Sequence, residues 1–240
     1  MKRFNHMAGQ FRTAFLSLVI ICLILLCAIM VVGCSGDDDS GPMPSYTAIF
    51  AEALTDHNGH IRSLRDDSGH LWTVTNVDTT AATANTPDSL YRVKAWVLPD
   101  NASQRLKVLS LEWLYSYKPQ RAVNMVVKHD PVEAVSATIT PRYLNMRLAI
   151  RCSKIEDHRF GFIEESIIRN TDGTKTLTIS LYHDKRNDPS SYVLDELFCC
   201  PIYQYAGTLT PNSDKVKLVV HTKDAPFVQE WTFPQANGQQ

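Results

Sequence analysis

The sequence has few of the features on which common catalytic and metal sites depend. Six of its 240 residues are cysteines, and no two of them are spaced as C-x-x-C. A cysteine-rich zinc site and a dense disulfide framework are therefore excluded. The chain also lacks a G-x-S-x-G turn and a glycine-rich phosphate-binding motif. These absences exclude a serine hydrolase with that turn and a nucleotide-binding loop.

One long apolar segment lies near the N-terminus. Three basic residues precede an apolar run over residues 14–32, which ends at Val31-Val32-Gly33-Cys34. A basic head, an apolar middle and a small-residue cleavage site are typical of a secretory signal. Because a cysteine follows the cleavage site directly, residues 1–33 are predicted to be a lipoprotein signal peptide. Val31, Val32 and Gly33 form the lipobox, and Cys34 carries the lipid that attaches the protein to a membrane.

An uncleaved membrane helix is the alternative for this segment. The apolar run is about as long as a bilayer-spanning helix and longer than most signal sequences. Both interpretations leave the basic end in the cytoplasm and export the rest of the chain. We favour the lipobox because a Gly-Cys pair rarely falls at the end of such a run by chance.

Residues 34–45 are predicted to be an acidic flexible tether, because they contain nothing that can bury apolar area. Asp37, Asp38 and Asp39 follow the predicted anchor closely. One interpretation is a solvated linker that its charges extend. The other is an export signal, because the run resembles the acidic stretch that directs lipoproteins of some Gram-negative anaerobes to the cell surface. The predicted location is the outer membrane, facing the cell surface.

Processing would change the charge and cysteine content. Residues 1–33 hold three basic residues and no acidic ones, so 21 Lys and Arg remain against 25 Asp and Glu, a net charge of −4. A mildly acidic chain is a poor candidate for binding phosphate backbones, so no nucleic-acid partner is expected. The remaining cysteines are Cys152, Cys199 and Cys200, which allow one disulfide bond or three free thiols.

Residues 46–118 show short alternating strands that predict a small β-barrel. Tyr91, Val93, Ala95 and Val97 alternate with Arg92, Lys94 and Trp96, as in a half-buried strand. Leu109, Leu111, Trp113 and Tyr115 repeat the pattern opposite Ser110 and Glu112. Asp66 to Gly69 is a predicted hairpin turn. Residues 76–89 are predicted to be a long loop.

Residues 119–236 are predicted to form an antiparallel β-sandwich. Lys118-Pro119-Gln120 marks the predicted boundary between the two domains. The clearest strand, over residues 144–152, places Cys152 on the core face. Asp172-Gly173, between two alternating segments, predicts a hairpin. Further strands are predicted around Leu218 and over residues 228–233. The predicted fold class is therefore all-β.

Several short motifs resemble the NigD-like lipoproteins in their order and spacing. They are Asp67-Ser68-Gly69-His70-Leu71-Trp72, Asp130-Pro131-Val132, Tyr143-Leu144-Asn145-Met146, His158-Arg159-Phe160-Gly161-Phe162 and Ser180-Leu181-Tyr182-His183. The resemblance implies an N-terminal OB-type barrel, a C-terminal β-sandwich and no established enzymatic activity. The family is associated with bacteriocin gene clusters, which suggests immunity or regulation. One departure is Ser89-Leu90-Tyr91, because the family usually has a glycine there.

Candidate chemical groups do not combine into a predicted active site. His57 and His60 flank Asn58-Gly59, so they are expected in a turn rather than at a metal. Glu164 and Glu165 are neighbours that would point to opposite faces of a strand, and so cannot flank one substrate bond. His183-Asp184 lacks a nucleophile placed to react with it. The sequence therefore predicts no catalytic residues, no metal site, no cofactor and no enzyme.

Aromatic residues of the barrel leave a binding role open. Trp72, Tyr91, Trp96 and Trp113 could stack nucleic-acid bases, but no basic groove accompanies them, so packing is favoured. On an exported protein the same face could bind a peptide, a glycan or an envelope protein. Three hypotheses follow: a noncatalytic binding module, an immunity-type or regulatory lipoprotein, and a hydrolase with an unrecognised site.

Overall fold

The structure is a computed structural model that describes residues 45–76 and 86–235. These residues form mainly β-strands, with two 3-10 helices at Ile155–Asp157 and Tyr203–Tyr205. No helix in these ranges is long and apolar enough to cross a membrane. The strands are β1 (Thr47–Thr55), β2 (Ile61–Asp66), β3 (Leu71–Val74), β4 (Leu90–Asp100), β5 (Arg105–Trp113), β6 (Tyr115–Ser116), β7 (Pro119–Gln120), β8 (Ala134–Ile139), β9 (Tyr143–Cys152), β10 (Arg159–Arg169), β11 (Lys175–Asp184), β12 (Tyr192–Pro201), β13 (Lys215–Val220) and β14 (Phe227–Thr232).

The first five strands close into a barrel in the order β1-β2-β3-β5-β4, with β4 pairing back onto β1. β3 and β5 run parallel, and the other neighbours are antiparallel. The predicted turn over 66–69 joins β2 to β3. Gly69 has a φ of 96° there, in the left-handed region that glycine adopts without steric cost.

The alternation predicted for β4 is confirmed, since Val93 and its alternate neighbours are buried in the barrel. The prediction for β5 is wrong at Leu109, which is 48% exposed, whereas Leu111 packs against the barrel core and Trp113 is 43% exposed. Trp96 pairs with Ser110, but the next residue of β4 pairs with Val108, so Leu109 has no partner. This β-bulge adds one residue to β5, so Leu111 and Trp113 still lie opposite the buried residues Ala95 and Val93.

Two sheets form the sandwich. One has the order β14-β13-β11-β10-β7 and the other β6-β12-β9-β8. The predicted all-β fold, a barrel followed by a sandwich, is confirmed. Three pairings, β6 with β12, β7 with β10 and β11 with β13, are parallel rather than antiparallel. β6 belongs to the sandwich although it precedes residue 119, and the boundary proposed at 118/119 stays a prediction.

The sandwich core contains the inward side chains of both sheets. β9 contributes alternate residues from Leu144 to Cys152, each no more than 1% exposed, as the sequence predicts. Cys152, Cys199 and Cys200 are buried free thiols. Burial raises the pKa of the Cys200 thiol well above its usual value, so it behaves as a small apolar group. The β10–β11 hairpin turns at Gly173 with a φ of 86°, which confirms the second predicted turn.

Buried polar side chains join the barrel to the sandwich. Glu52 on β1 is 1% exposed and accepts hydrogen bonds from Arg142 Nη2 at 2.7 and 2.9 Å and from the Tyr143 hydroxyl at 2.8 Å. These bonds satisfy a carboxylate that would be costly to bury alone.

A second polar group at this junction surrounds Arg92 on β4. Its Nη2 donates to Asp67 at 2.8 Å and to Asn145 at 2.9 Å. The guanidinium lies 3.7 Å from the centre of the Tyr143 ring. Arg92 was predicted on the polar face of its strand, yet it is 6% exposed because the sandwich covers this side of the barrel.

Candidate functional site

The residues predicted to direct export and lipid attachment lie outside the described ranges. They are the lipobox residues Val31, Val32 and Gly33, the lipidation site Cys34, and the export-signal residues Asp37, Asp38 and Asp39. Residues 77–85 of the predicted long loop also lie outside. Their roles stay predictions.

The histidines near Asn58-Gly59 lie at a turn, as the sequence indicates. Asp56 Oδ1 accepts the backbone N–H groups of Asn58 and His60 at 2.8 and 2.9 Å, so this carboxylate closes the turn. His57 is exposed. Within the described ranges, no group of three or more His, Cys, Asp and Glu side chains could hold a metal ion.

The aromatic residues of the barrel are engaged in contacts within the chain. Trp72 Nε1 donates to Asp66 at 2.9 Å, and the ring centres of Tyr91 and Trp113 are 4.8 Å apart. Lys94 Nζ lies 4.6 Å from the Trp96 ring centre. These contacts agree with a packing role for the four aromatic side chains.

A cleft of about 570 Å³ lies beside β10, where the chain crosses from one sheet of the sandwich to the other. β6 pairs with β12 at Phe198, and β7 pairs with β10 at Phe162. Residues 117–118 connect the two sheets and line the cleft. The start of β10 also lines it, up to the point where β10 pairs with β7. This volume lies within the roughly 300–1,000 Å³ typical of ligand pockets.

The surface of the cleft includes a glycine with an aromatic ring beside it. Gly161 and Tyr182 are cross-strand partners, so their side-chain positions share one face of the sheet. A Cβ atom placed on Gly161 would meet only Tyr182, at 3.9 Å or more. The missing side chain leaves room above β10, and Arg159 lies two residues away on the same face. Phe160 and Phe162 point the other way, toward the core.

The cleft lining carries positive charge. It includes Lys118 and Arg159 and no acidic residue. Nearby carboxylates already have partners, because Glu164 accepts from Arg121 at 2.7 Å and Asp184 lies 3.0 Å from Lys128 Nζ. The Lys128 hydrogen bond lowers the pKa of Asp184, with a smaller contribution from Arg159. Among the described residues, neither Lys118 nor Arg159 has an ion-pair partner within 4 Å.

Two buried histidines support the floor of the cleft. His183 Nδ1 lies 2.8 Å from the Asp130 carbonyl oxygen, which can only accept, so Nδ1 is the donor. Burial lowers the pKa of His183 and keeps it neutral, so its Nε2 accepts from His158 Nδ1 at 2.9 Å. Phe160 stacks on His183 with ring centres 4.6 Å apart. These contacts hold His158, which lines the cleft, in one orientation.

The arrangement is suited to binding rather than to bond cleavage. Among the residues lining the cleft, no serine or cysteine is hydrogen-bonded to a histidine or carboxylate, as a nucleophile would need to be. Glu164 and Glu165 have separate partners, since Glu164 also accepts from Tyr205 at 2.8 Å and Glu165 accepts from Ser180. His183, for which the sequence offers no nucleophile, is a buried structural partner of His158.

Sequence reasoning missed this cleft. Lys118-Pro119-Gln120 was interpreted only as a domain break, and the segment from His158 to Phe162 only as part of a family resemblance. The available signal was a glycine within a strand, which often marks a close approach or an open site. Gly161 is such a glycine, and it lies on the same face of β10 as Arg159.

Comparison with known proteins gives one family match. Residues 115–231 match the NigD-like C-terminal beta sandwich domain. No curated protein matches the chain.

Several solved structures share the fold. A NigD-like immunity protein from Bacteroides caccae is 25% identical, with a TM-score of 0.59, covering 80% of this chain and 99% of that one. A candidate toxin-related protein from Parabacteroides distasonis is 17% identical, with a TM-score of 0.57 and coverage of 79% and 94%. A candidate lipoprotein from Bacteroides fragilis is 13% identical, with a TM-score of 0.54 and coverage of 82% and 100%. At these identities the last two show the fold alone.

The described residues define an all-β protein in which a closed five-stranded barrel precedes a β-sandwich. The sandwich is a NigD-like C-terminal β-sandwich domain, and this match supports the NigD-like family for the chain. The resemblance drawn from the sequence motifs is confirmed.

Proposed function

We propose that this protein is a noncatalytic binding module, anchored by lipid on Cys34 and displayed at the outer membrane. The cleft beside β10 carries the proposal, because it combines a ligand-sized volume, a floor fixed by hydrogen bonds and two exposed cations that form no ion pair within 4 Å among the described residues. Rigid sites with a few well-placed polar groups bind small ligands without a large ordering cost.

The anchor is supported by the signal pattern that ends at Gly33-Cys34. The Bacteroides fragilis protein that shares the fold is itself described as a candidate lipoprotein. Between the anchor and the barrel, residues 35–44 can extend to roughly 33 Å. A tether of that reach allows the folded part to stand clear of the lipid headgroups.

Hydrogen–deuterium exchange of the purified protein tests ligand binding at the cleft. The protein is incubated with the low-molecular-weight fraction of the producing cells' culture fluid, and exchange is followed over residues 116–120 and 158–163. Gly161→Leu should fill the cleft and still fold, because a Cβ there meets only ordinary contacts. Gly207→Leu is the matched control, because its Cβ position is open and lies outside the cleft.

We expect the fraction to slow exchange in the wild type and in Gly207→Leu, but not in Gly161→Leu. Absence of protection in the wild type, or equal protection in Gly161→Leu, would overturn the cleft as the binding site.

An immunity-type function is the second candidate, because the Bacteroides caccae protein that is 25% identical is described as an immunity protein. Expression of this chain in a bacteriocin-sensitive strain tests it directly. A survival gain of tenfold or more under toxin would favour immunity. Unchanged survival, with the protein present at the membrane, would leave the binding module as the function.

A further inference from the structure

The chemistry of the cleft points to one class of ligand, an inference that rests on the proposed binding function. We propose that the cleft binds a small acidic saccharide. Its carboxylate pairs with Lys118 and Arg159, and its ring packs against Tyr182. Three features of the cleft support this assignment: its charge, its aromatic wall and the way β7 limits access to β10.

The charge of the lining selects an anion. Lys118 and Arg159 are exposed cations that line the same cleft, and the carboxylates beside it are held by Arg121 and Lys128. Asp184 is the cross-strand partner of Arg159 but bonds to Lys128 instead, so a carboxylate entering the cleft meets donors without breaking an ion pair within 4 Å. Hydrogen bonds between charged groups are stronger than neutral ones, and arginine can bind a carboxylate through two parallel bonds.

Tyr182 supplies a ring and a hydroxyl beside these cations. It is half-buried, and no other described aromatic ring packs on it. Its cross-strand partner is Gly161, so no side chain from β10 competes for the space in front of the ring. Among the described residues, its hydroxyl has no hydrogen-bond partner. An apolar ring with a free polar tip suits a sugar, which presents both C–H and O–H groups.

β7 makes an extended peptide the less suitable occupant. It already pairs with β10 at Phe162 and Ile163. Only residues 159–161 of β10 are left on the cleft side. A peptide that binds by strand addition needs a longer free edge to gain its main-chain hydrogen bonds. A short saccharide needs no such edge.

Isothermal titration with three matched probes tests the proposal. Digalacturonic acid is the acidic saccharide, galactobiose is its neutral counterpart, and acetyl-Glu-Glu is an acidic peptide. The Lys118→Met/Arg159→Met variant removes the cleft cations. Arg62→Met/Lys107→Met is the control, because both residues are exposed cations of the barrel, outside the cleft.

We expect digalacturonic acid to bind saturably and galactobiose to bind at least tenfold more weakly. The Lys118→Met/Arg159→Met variant should lose at least tenfold in affinity for digalacturonic acid, and the control variant should keep the affinity of the wild type. Equal binding of both sugars, equal binding by the cleft variant, tighter binding of acetyl-Glu-Glu, or no binding of digalacturonic acid would each overturn the saccharide assignment. If culture fluid slows exchange at the cleft and Gly161→Leu abolishes this effect, the binding function is supported even when the saccharide assignment fails. Failure of the saccharide assignment and failure of the binding function are therefore distinguishable.

Discussion

Arg92 and Asp67 form an ion pair where the barrel meets the sandwich, with side chains 2% and 14% exposed. Burial alone lowers the pKa of Arg92, but the hydrogen bond and charge of Asp67 more than offset this and raise it. Arg92 therefore stays charged although its side chain is removed from most of the solvent. Asn145 bonds to both members, through Oδ1 to Arg92 and through Nδ2 to Asp67.

Arg92→Met should lower the free energy of unfolding by about 3–5 kcal/mol, because it leaves the Asp67 carboxylate buried without its main partner. Arg62→Met, at an exposed position of the same barrel, should change it by less than about 0.5 kcal/mol. Urea denaturation at pH 7 measures both. Equal midpoints for the two variants would show that the junction pair contributes nothing to stability.

His183 predicts a loss of stability in mildly acidic solution. Burial lowers the pKa of His183, and the proximity of His158 lowers it further. Asp130 and Asp184 raise this pKa, but by less than burial and His158 together lower it. As pH falls below about 6.5, the unfolded chain takes up a proton that the folded His183 does not. The free energy of unfolding should therefore fall between pH 7.5 and 5.5, by at most about 1.4 kcal/mol per pH unit for this group.

The variant His183→Gln should show a flatter profile over this range, measured by urea denaturation at several pH values. His57→Gln, at an exposed turn, should keep the slope of the wild type. If His183→Gln and the wild type show the same slope of unfolding free energy against pH, His183 does not cause the loss of stability in acid.

At the scale of the elements, long regular strands are the part of the fold that the sequence predicts well. β9 shows one buried and one outward face over most of its length, so its register follows from alternation alone. In β5 the prediction fails at Leu109, because the bulge there depends on the pairing of β5 with β4. β6 and β7 have two residues each, too few for any periodic signal. The partners of parallel strands are also far apart in the chain.

The candidate site was harder to predict than the strands. Its lining comes from separate segments, mainly residues 116–120 and 158–163, with Met125 and Tyr182. Their proximity depends on the crossing between sheets, which no local pattern encodes. The burial of Glu52 and Arg92 was equally hard to predict. Alternation assigns charged residues to solvent and cannot show that the sandwich covers them.

The register of β9 makes Cys152 a sensitive position. Cys152→Asp should lower the free energy of unfolding by about 4 kcal/mol or more, because a carboxylate would be buried without a partner. Cys152→Val should cost less than about 1.5 kcal/mol, since the volume and polarity change little. Ser136→Asp, on the exposed side of β8, is the control and should be close to neutral. Thermal denaturation that finds Cys152→Asp as stable as the control would refute the core assignment.

At the scale of the whole molecule, the predicted tether would join the proposed anchor to the barrel. If Asp37, Asp38 and Asp39 act only by keeping the tether extended, any charged triplet should serve, because self-repulsion does not depend on sign. If they act as an export signal, replacing all three with Ser or with Lys should leave lipidation and folding intact and move the protein to the periplasmic side. Protease accessibility in intact cells, with total protein checked by blot, separates these outcomes. Equal surface cleavage of all three forms would rule out the signal.

The anchor on Cys34 is the central claim, because a protein that is not exported and held at a membrane could not act as the proposed surface module. Mass spectrometry of the mature protein isolated from membranes tests it most directly. We predict an N-terminal residue of Cys34 carrying a thioether-linked diacylglyceride, and a Cys34→Ala variant that keeps residues 1–33 and remains in the inner membrane. A wild-type chain that still begins at Met1 would contradict the lipid anchor and favour an uncleaved helix.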